Sequence, residues 1–170
     1  MPGIISAMKP TASPSRTSLS PAKQIAGFIS KFDPTVARLI RQCRAEMRKL
    51  LPTAVELVYD NYNFLVFGFG TSERASDAIL SIAAAANGVG LCFIYGASLP
   101  DPQRILLGSG KQTRFIRLPT VAPLRSPPVL SLIRAAVARA AKPLPAKGRG
   151  YTVIKSISAK QRPRRKSRSG

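Results

Sequence analysis

The dipeptide Asn87-Gly88 is the feature of this sequence that most constrains its fold. It lies between two apolar runs, and Asn-Gly in that setting is the strongest short-range signal for a β-hairpin. The alanines of the first run favour a helix instead. We give the turn signal more weight, so the sequence predicts two antiparallel strands over about 77–86 and 89–95.

Further strands are predicted wherever β-branched and aromatic residues surround a turn signal. The stretch AVELVYDNYNFLVFGFG predicts two short strands around Asp60-Asn61. Two more are expected at Arg104–Leu107 and Thr113–Leu118. Tyr151–Ile157 is expected to add a short strand or to pack against the domain.

Three helices are predicted, two before the strands and one after most of them. The first covers QIAGFISKF; the second begins at Asp33-Pro34 and ends at Pro52; the third covers PPVLSLIRAAVARAAKP. The second helix should bury one apolar stripe, made of Val36, Leu39, Ile40, Cys43, Met47, Leu50 and Leu51. This order predicts an α+β fold, with the helices packed on one face of an antiparallel sheet.

The two ends of the chain differ from its centre in composition. Residues 1–23 hold four prolines and five serines, a composition that predicts disorder. The predicted domain covers residues 24–158, and residues 159–170 are expected to form a disordered basic tail.

The formal net charge is +20, and ten of the 27 Lys and Arg residues lie in residues 142–170, which contain no acid. Such a segment attracts polyanions and is also typical of a solvated tail that keeps a protein soluble. Both interpretations stay open. If the tail binds nucleic acid, the residues expected to do so are Lys160, Arg162, Arg164, Arg165, Lys166 and Arg168.

The glycine-rich stretch GSGKQT, residues 108–113, suggests a second anion site. A phosphate-binding P-loop is excluded, because Ile105 stands where that motif requires glycine and a strand follows instead of a helix. The weaker hypothesis is an anion held by Lys111, Arg114 and Arg117. The alternative is an edge strand that its charges protect from aggregation.

No catalytic constellation is found. The chain has no histidine, which removes the commonest general base and most zinc sites. Cys43 and Cys92 both lie in apolar settings and are expected to be buried thiols. No cofactor, metal site, signal peptide or membrane segment is predicted, and a cytoplasmic location is expected.

The order of these pieces resembles the YdhG-like domain family of bacterial proteins. The resemblance rests on VELVY, on CFIYG, on LLGSGKQTRFIRL and on LIRAAVARA, and covers about residues 25–141. It implies a compact α+β domain. Some relatives are described as frataxin-like iron chaperones, which would require clustered carboxylates. This chain has only seven scattered acids.

Three functions follow as hypotheses. The first is a small cytoplasmic protein without enzymatic activity that acts as a binding or accessory module. The second is a protein that binds nucleic acid or another polyanion non-specifically through its basic tail. The third is an iron carrier of the chaperone type, as the resemblance implies.

Overall fold

The computed structural model describes residues 19–168, so the disorder predicted for residues 1–18 lies outside the described part. Helix α1 spans Pro21–Ser30. It begins at a proline that needs no backbone donor, and the Ser20 hydroxyl accepts a hydrogen bond from the Lys23 amide. The prediction that disorder extends to residue 23 is therefore wrong, because the cap and the proline start the helix earlier than its apolar spacing indicates.

Helix α2 spans Pro34–Leu50 and helix α3 spans Pro127–Ala138, each with proline in its first turn. The apolar stripe of α2 faces the core as predicted. Ile40, Cys43 and Met47 are fully buried, while the outer members of the stripe, Val36 and Leu39, are half-buried.

Within the described residues, six strands form one sheet in the order β5-β4-β3-β2-β1-β6. Their bounds are β1 Val55–Asp60, β2 Leu65–Gly70, β3 Ala78–Ala85, β4 Gly88–Phe93, β5 Arg114–Leu118 and β6 Thr152–Ile157. The α+β class is confirmed. The hairpin predicted around Asn87-Gly88 is β3 and β4, in which Ala85 pairs with Gly88 across the turn, and Gly88 has a positive φ that other residues rarely adopt.

The sheet is mixed, so the prediction of a purely antiparallel sheet is wrong for β6. Strands β1 to β5 pair in antiparallel order, whereas β6 runs parallel to β1. Turn signals predict pairing only between strands that a tight turn connects. Strand β6 follows α3 in the chain and pairs with the free edge of β1, so no turn signal indicates this pairing. The backbones that lead into β6 and β1 pass close together at Gly150 and Ala54. A Cβ on Gly150 would lie 1.8 Å from the carbonyl oxygen of Ala54.

The strand predicted over Arg104–Leu107 is also wrong. Arg104 has a φ of 53°, in the left-handed region. The Asp101 carboxylate accepts hydrogen bonds from the amides of Ile105 and Leu106, which fixes a turn. Only Leu107 makes a bridge, to Phe115.

One face of the sheet carries two carboxylates together with large apolar side chains. Because side chains alternate along a strand, Glu56, Val58 and Asp60 of β1 share this face. They pair in register with Phe69, Phe67 and Leu65 of β2, all at most 1% exposed. Helix α2 and the end of α1 contact this face through Arg44 and Lys31. That all three helices pack on it stays a prediction.

Candidate nucleic-acid interface

The cationic stretch after β6, residues 158–168, lies against the turn between β1 and β2. The Ser158 amide and the Gln161 side-chain amide each donate to the Asp60 carbonyl, at 2.9 Å. The Arg162 amide donates to the Tyr62 carbonyl at 2.9 Å. The prediction of a free tail from residue 159 is therefore wrong for this stretch.

Arg164 anchors the stretch in the domain. Its side chain is 3% exposed, and its Nη2 donates to Asp60 Oδ1 at 3.0 Å and to the Asn61 carbonyl at 2.6 Å. The guanidinium also lies 5.7 Å from the ring centre of Phe32, a favourable cation–π arrangement. The Nε and Nη1 atoms are buried, and neither has a hydrogen-bond partner among residues 19–168. Arg164 thus holds the backbone in place and is not available to a phosphate.

The end of α1 supplies a second set of contacts. Lys31 Nζ donates to Asp60 Oδ2 at 2.7 Å and to Gln161 Oε1 at 2.9 Å. Arg165 donates to the carbonyls of Ser30 and Lys31, at 3.4 and 3.2 Å. A cation at this end of a helix is favourable, because the last carbonyls have no intrahelical partner and carry the negative end of the dipole.

The ionisation of Asp60 depends on these donors. Burial by itself raises the pKa of this carboxyl group, since Asp60 is fully buried. Hydrogen bonds, that from Lys31 foremost among them, outweigh burial and leave the pKa below its ordinary value. Asp60 is therefore a carboxylate at neutral pH. Its negative charge pairs with Lys31, from the N-terminal part of the chain, and with Arg164, from the C-terminal part.

The remaining cations of the stretch face solvent. The structure therefore divides the six predicted nucleic-acid contacts into one buried anchor, Arg164, one helix-end contact, Arg165, and four solvent-facing side chains. Those four are exposed and project from a backbone that the anchor fixes: Lys160, Arg162, Lys166 and Arg168.

The anion site predicted at β5 is not gathered into one place. Arg114 and Arg117 lie on opposite faces of the strand, as their spacing requires. The Arg114 guanidinium folds back on its own turn and donates to the carbonyls of Gly110 and Thr113. Lys111 and Arg117 are exposed. The structure gives Arg114 a structural role in closing the turn.

Four arginines of α2, at positions 38, 41, 44 and 48, are divided in the same way. Arg38, Arg41 and Arg48 are exposed. Arg44 turns toward the sheet and binds both oxygens of Glu56, with Nε to Oε2 at 2.8 Å and Nη2 to Oε1 at 2.7 Å. Glu56 is 2% exposed and also accepts a hydrogen bond from the Thr152 hydroxyl.

A basic hollow of about 460 Å³ lies where α2 ends and β6 begins. Its lining includes Arg48, Lys49, Arg149 and Tyr151, together with Glu56. Part of this charge complements the C-terminal end of α2. This hollow was not predicted, because Arg149 is about 100 residues from the other two cations in the sequence.

Neither thiol has the features of a nucleophile. Cys43 is fully buried, and burial, followed by the nearby Glu46, raises its pKa to about 11. Cys92 is half-buried, and burial raises its pKa too. Within residues 19–168, no group of three or more His, Cys, Asp or Glu side chains could hold a metal ion. No helix in that same range is long and apolar enough to cross a bilayer.

Comparison of the chain with protein-family models, with curated proteins and with solved structures found no match in any of the three. The resemblance to the YdhG-like domain family stays a prediction from the sequence.

Proposed function

We propose that the protein is a non-enzymatic binding module for nucleic acid, which it contacts through the cationic stretch after β6. The observation that carries the proposal is the buried pair of Arg164 with Asp60. This pair fixes the backbone on which Lys160, Arg162 and Lys166 are displayed. A cytoplasmic location and a place in the YdhG-like family belong to the same proposal and are supported by the sequence alone.

Fixing these cations favours binding for a physical reason. A free tail must lose backbone and side-chain entropy when it settles on a polyanion, whereas a docked stretch has lost part of that entropy on folding. Each phosphate neutralised releases condensed counterions, and this supplies most of the affinity. The formal net charge of +20 adds long-range attraction between the protein and the nucleic acid.

The test is a fluorescence anisotropy titration of a labelled oligonucleotide at several salt concentrations. In the test variant, Lys160, Arg162, Lys166 and Arg168 are each replaced by Gln. We expect weaker binding, with a slope of log affinity against log salt that flattens by up to about 0.7 per lost contact on single strands, or about 0.9 on duplex.

A matched control removes the same charge elsewhere. Four exposed cations distant in sequence from the stretch are replaced by Gln: Lys23, Arg74, Arg104 and Arg134. This control should bind almost as tightly as the unchanged protein. Equal weakening by both variants would overturn the proposal in favour of diffuse charge. Absence of binding at about 50 mM salt, where phosphate contacts are strong, would overturn it outright.

A second candidate function is the binding of a small phosphate-bearing ligand in the basic hollow. Three cations line about 460 Å³, and the carboxylate of the lining, Glu56, is already bonded to Arg44, which together favour an anion of nucleotide size. Pyrophosphate and ADP should then raise the melting temperature, and Arg149→Gln should abolish that shift while Arg134→Gln keeps it. An equal shift in both variants would exclude the hollow. No observation on residues 19–168 favours the iron carrier, which stays a prediction of the resemblance.

A further inference from the structure

The turn between β1 and β2 exposes two aromatic rings. Tyr62 is 45% exposed and Phe64 is 46% exposed. The turn is closed by a hydrogen bond from the Asn61 amide to the Phe64 carbonyl, at 2.9 Å, so its shape does not depend on either ring. Large apolar side chains on a four-residue turn leave apolar surface in water, which is a mark of a contact surface when such rings occur together.

The docked cationic stretch crosses this turn. The Arg162 guanidinium lies 5.8 Å from the ring centre of Tyr62, and the Arg162 amide is bonded to the Tyr62 carbonyl. On the other side of the turn, Arg164 is bonded to the Asn61 carbonyl. Aromatic rings and the cation Arg162, which are about 100 residues apart in the sequence, are thus neighbours on the surface.

A shallow hollow of about 290 Å³ lies beside Phe64. Arg162 and Pro163 of the docked stretch form one side of it, and Asn63 and Asn87 are among its other lining residues. Each asparagine side-chain amide offers both a donor and an acceptor, the groups that pair with the edge of an unstacked base.

We infer that this surface binds single-stranded nucleic acid, with bases stacked on Tyr62 and Phe64 and phosphates held by Lys160 and Arg162. The inference rests on the proposed function and deepens it by naming the class of nucleic acid. Bases in a duplex stack on one another and cannot reach the two rings, whereas every base of a single strand has a free π-face. A preference for single strands with little preference for base sequence follows.

The chain has no tryptophan, which allows a direct optical test. In the variant Tyr62→Trp the single indole should be quenched when an unstructured oligothymidine stacks on it. The matched control is Tyr95→Trp, at a tyrosine that is 51% exposed and lies outside the turn. We expect quenching at position 62 and none at position 95.

Affinity supplies the second measurement. Tyr62→Ala and Phe64→Ala should each weaken binding of a 12-nucleotide oligothymidine by about 5-fold or more, without changing the salt slope, because stacking releases no counterions. Tyr95→Ala should leave binding unchanged. Tyr62→Leu, which keeps an apolar side chain and loses the π-face, should behave like the alanine variant, and circular dichroism checks that each variant is folded.

The outcomes separate the two proposals. Binding of neither single strand nor duplex would overturn both. Equal affinity for a single strand and its duplex, with no quenching at position 62 and no effect of the alanine variants, would overturn the single-strand inference and leave the proposed function standing. Competition by heparin gives a further check. If Tyr62→Ala binds oligothymidine as tightly as the unchanged protein, and heparin displaces the oligothymidine equally well from both, charge alone explains the binding and the single-strand inference is overturned.

Discussion

Two buried carboxylates of β1, Glu56 and Asp60, lie on the same face of the sheet and are each paired with an arginine, yet the two pairs differ in kind. Glu56 is held by both nitrogens of one guanidinium edge, from Arg44. Asp60 is held by a single nitrogen of Arg164 and shares its other oxygen with Lys31. The first pair is joined by two hydrogen bonds, whereas two nitrogens of Arg164 are buried with no partner in the described part of the chain.

The difference follows from where each arginine comes from. Arg44 lies 12 residues before Glu56, on a helix that packing already fixes. Arg164 lies 104 residues after Asp60, on a stretch without regular secondary structure. The comparison teaches that a buried ion pair can serve the core or can attach a segment to it. Segments of the second kind open at lower free energy than the domain as a whole.

The largest expected effect comes from Arg44→Met. It leaves Glu56 buried with only the Thr152 hydroxyl, and breaking a buried pair by removing one partner costs about 3–5 kcal/mol of unfolding free energy. Urea denaturation measures the loss. Arg41→Met, at an exposed position of the same helix, should change it by less than about 0.5 kcal/mol. A loss below about 1 kcal/mol in Arg44→Met would refute the structural role.

Arg164→Met should cost less, about 1.5–3 kcal/mol, because Lys31 still neutralises Asp60. Its mark is local. Hydrogen exchange should accelerate at residues 161–166, while β2 and β3 keep their protection. Arg168→Met is the control and should leave exchange unchanged. Equal acceleration across the sheet would show that Arg164 serves the core in the way Arg44 does.

Acid should weaken the attachment of the stretch through Asp60. Its folded pKa is lowered, so its contribution to stability is complete above the unfolded value of about 3.9 and is lost as the pH falls through the folded pKa. Urea midpoints between about pH 2 and 5 measure this. In Asp60→Asn that part of the pH dependence should be missing. Parallel profiles for the two proteins would contradict the assignment.

The smallest effect is expected from removing Ser167 and the residues after it. The anchor Arg164 and the helix-end contact Arg165 both remain, so the free energy of unfolding should change by less than about 0.5 kcal/mol. A loss as large as that of Arg164→Met would place part of the attachment beyond Lys166.

Local signals made much of the fold predictable. Asn87-Gly88 predicted a hairpin and Asp33-Pro34 predicted the start of α2, and the helix does begin at Pro34, although the Asp33 side chain makes no capping hydrogen bond. The strand at Arg104 was mispredicted because Asp101, a short distance away, bonds to the amides that a strand would have used. Composition alone does not show such a competition.

The candidate site was predictable only in part. The cations of the stretch were found from their number, but not the burial of Arg164, because its partner Asp60 is 104 residues away and acids in a sequence give no sign of which cation they will meet. Tyr62 and Phe64 were missed as surface residues for a similar reason. Aromatic residues next to predicted strands are usually taken as part of the core. The structure shows instead that Tyr62 and Phe64 are exposed, and that Tyr62 lies beside Arg162 of the docked stretch.

The parallel pairing of β6 with β1 sets the order in which this domain can be completed. Thr152 and its partner Glu56 are 96 residues apart, so at about 5–20 residues per second the ribosome adds β6 some 5–20 s after β1. During that interval the outer edge of β1 has no strand beside it, and Asp60 has Lys31 without Arg164. Newly made chains therefore pass through a stage in which the sheet has a bare edge open to pairing with another chain.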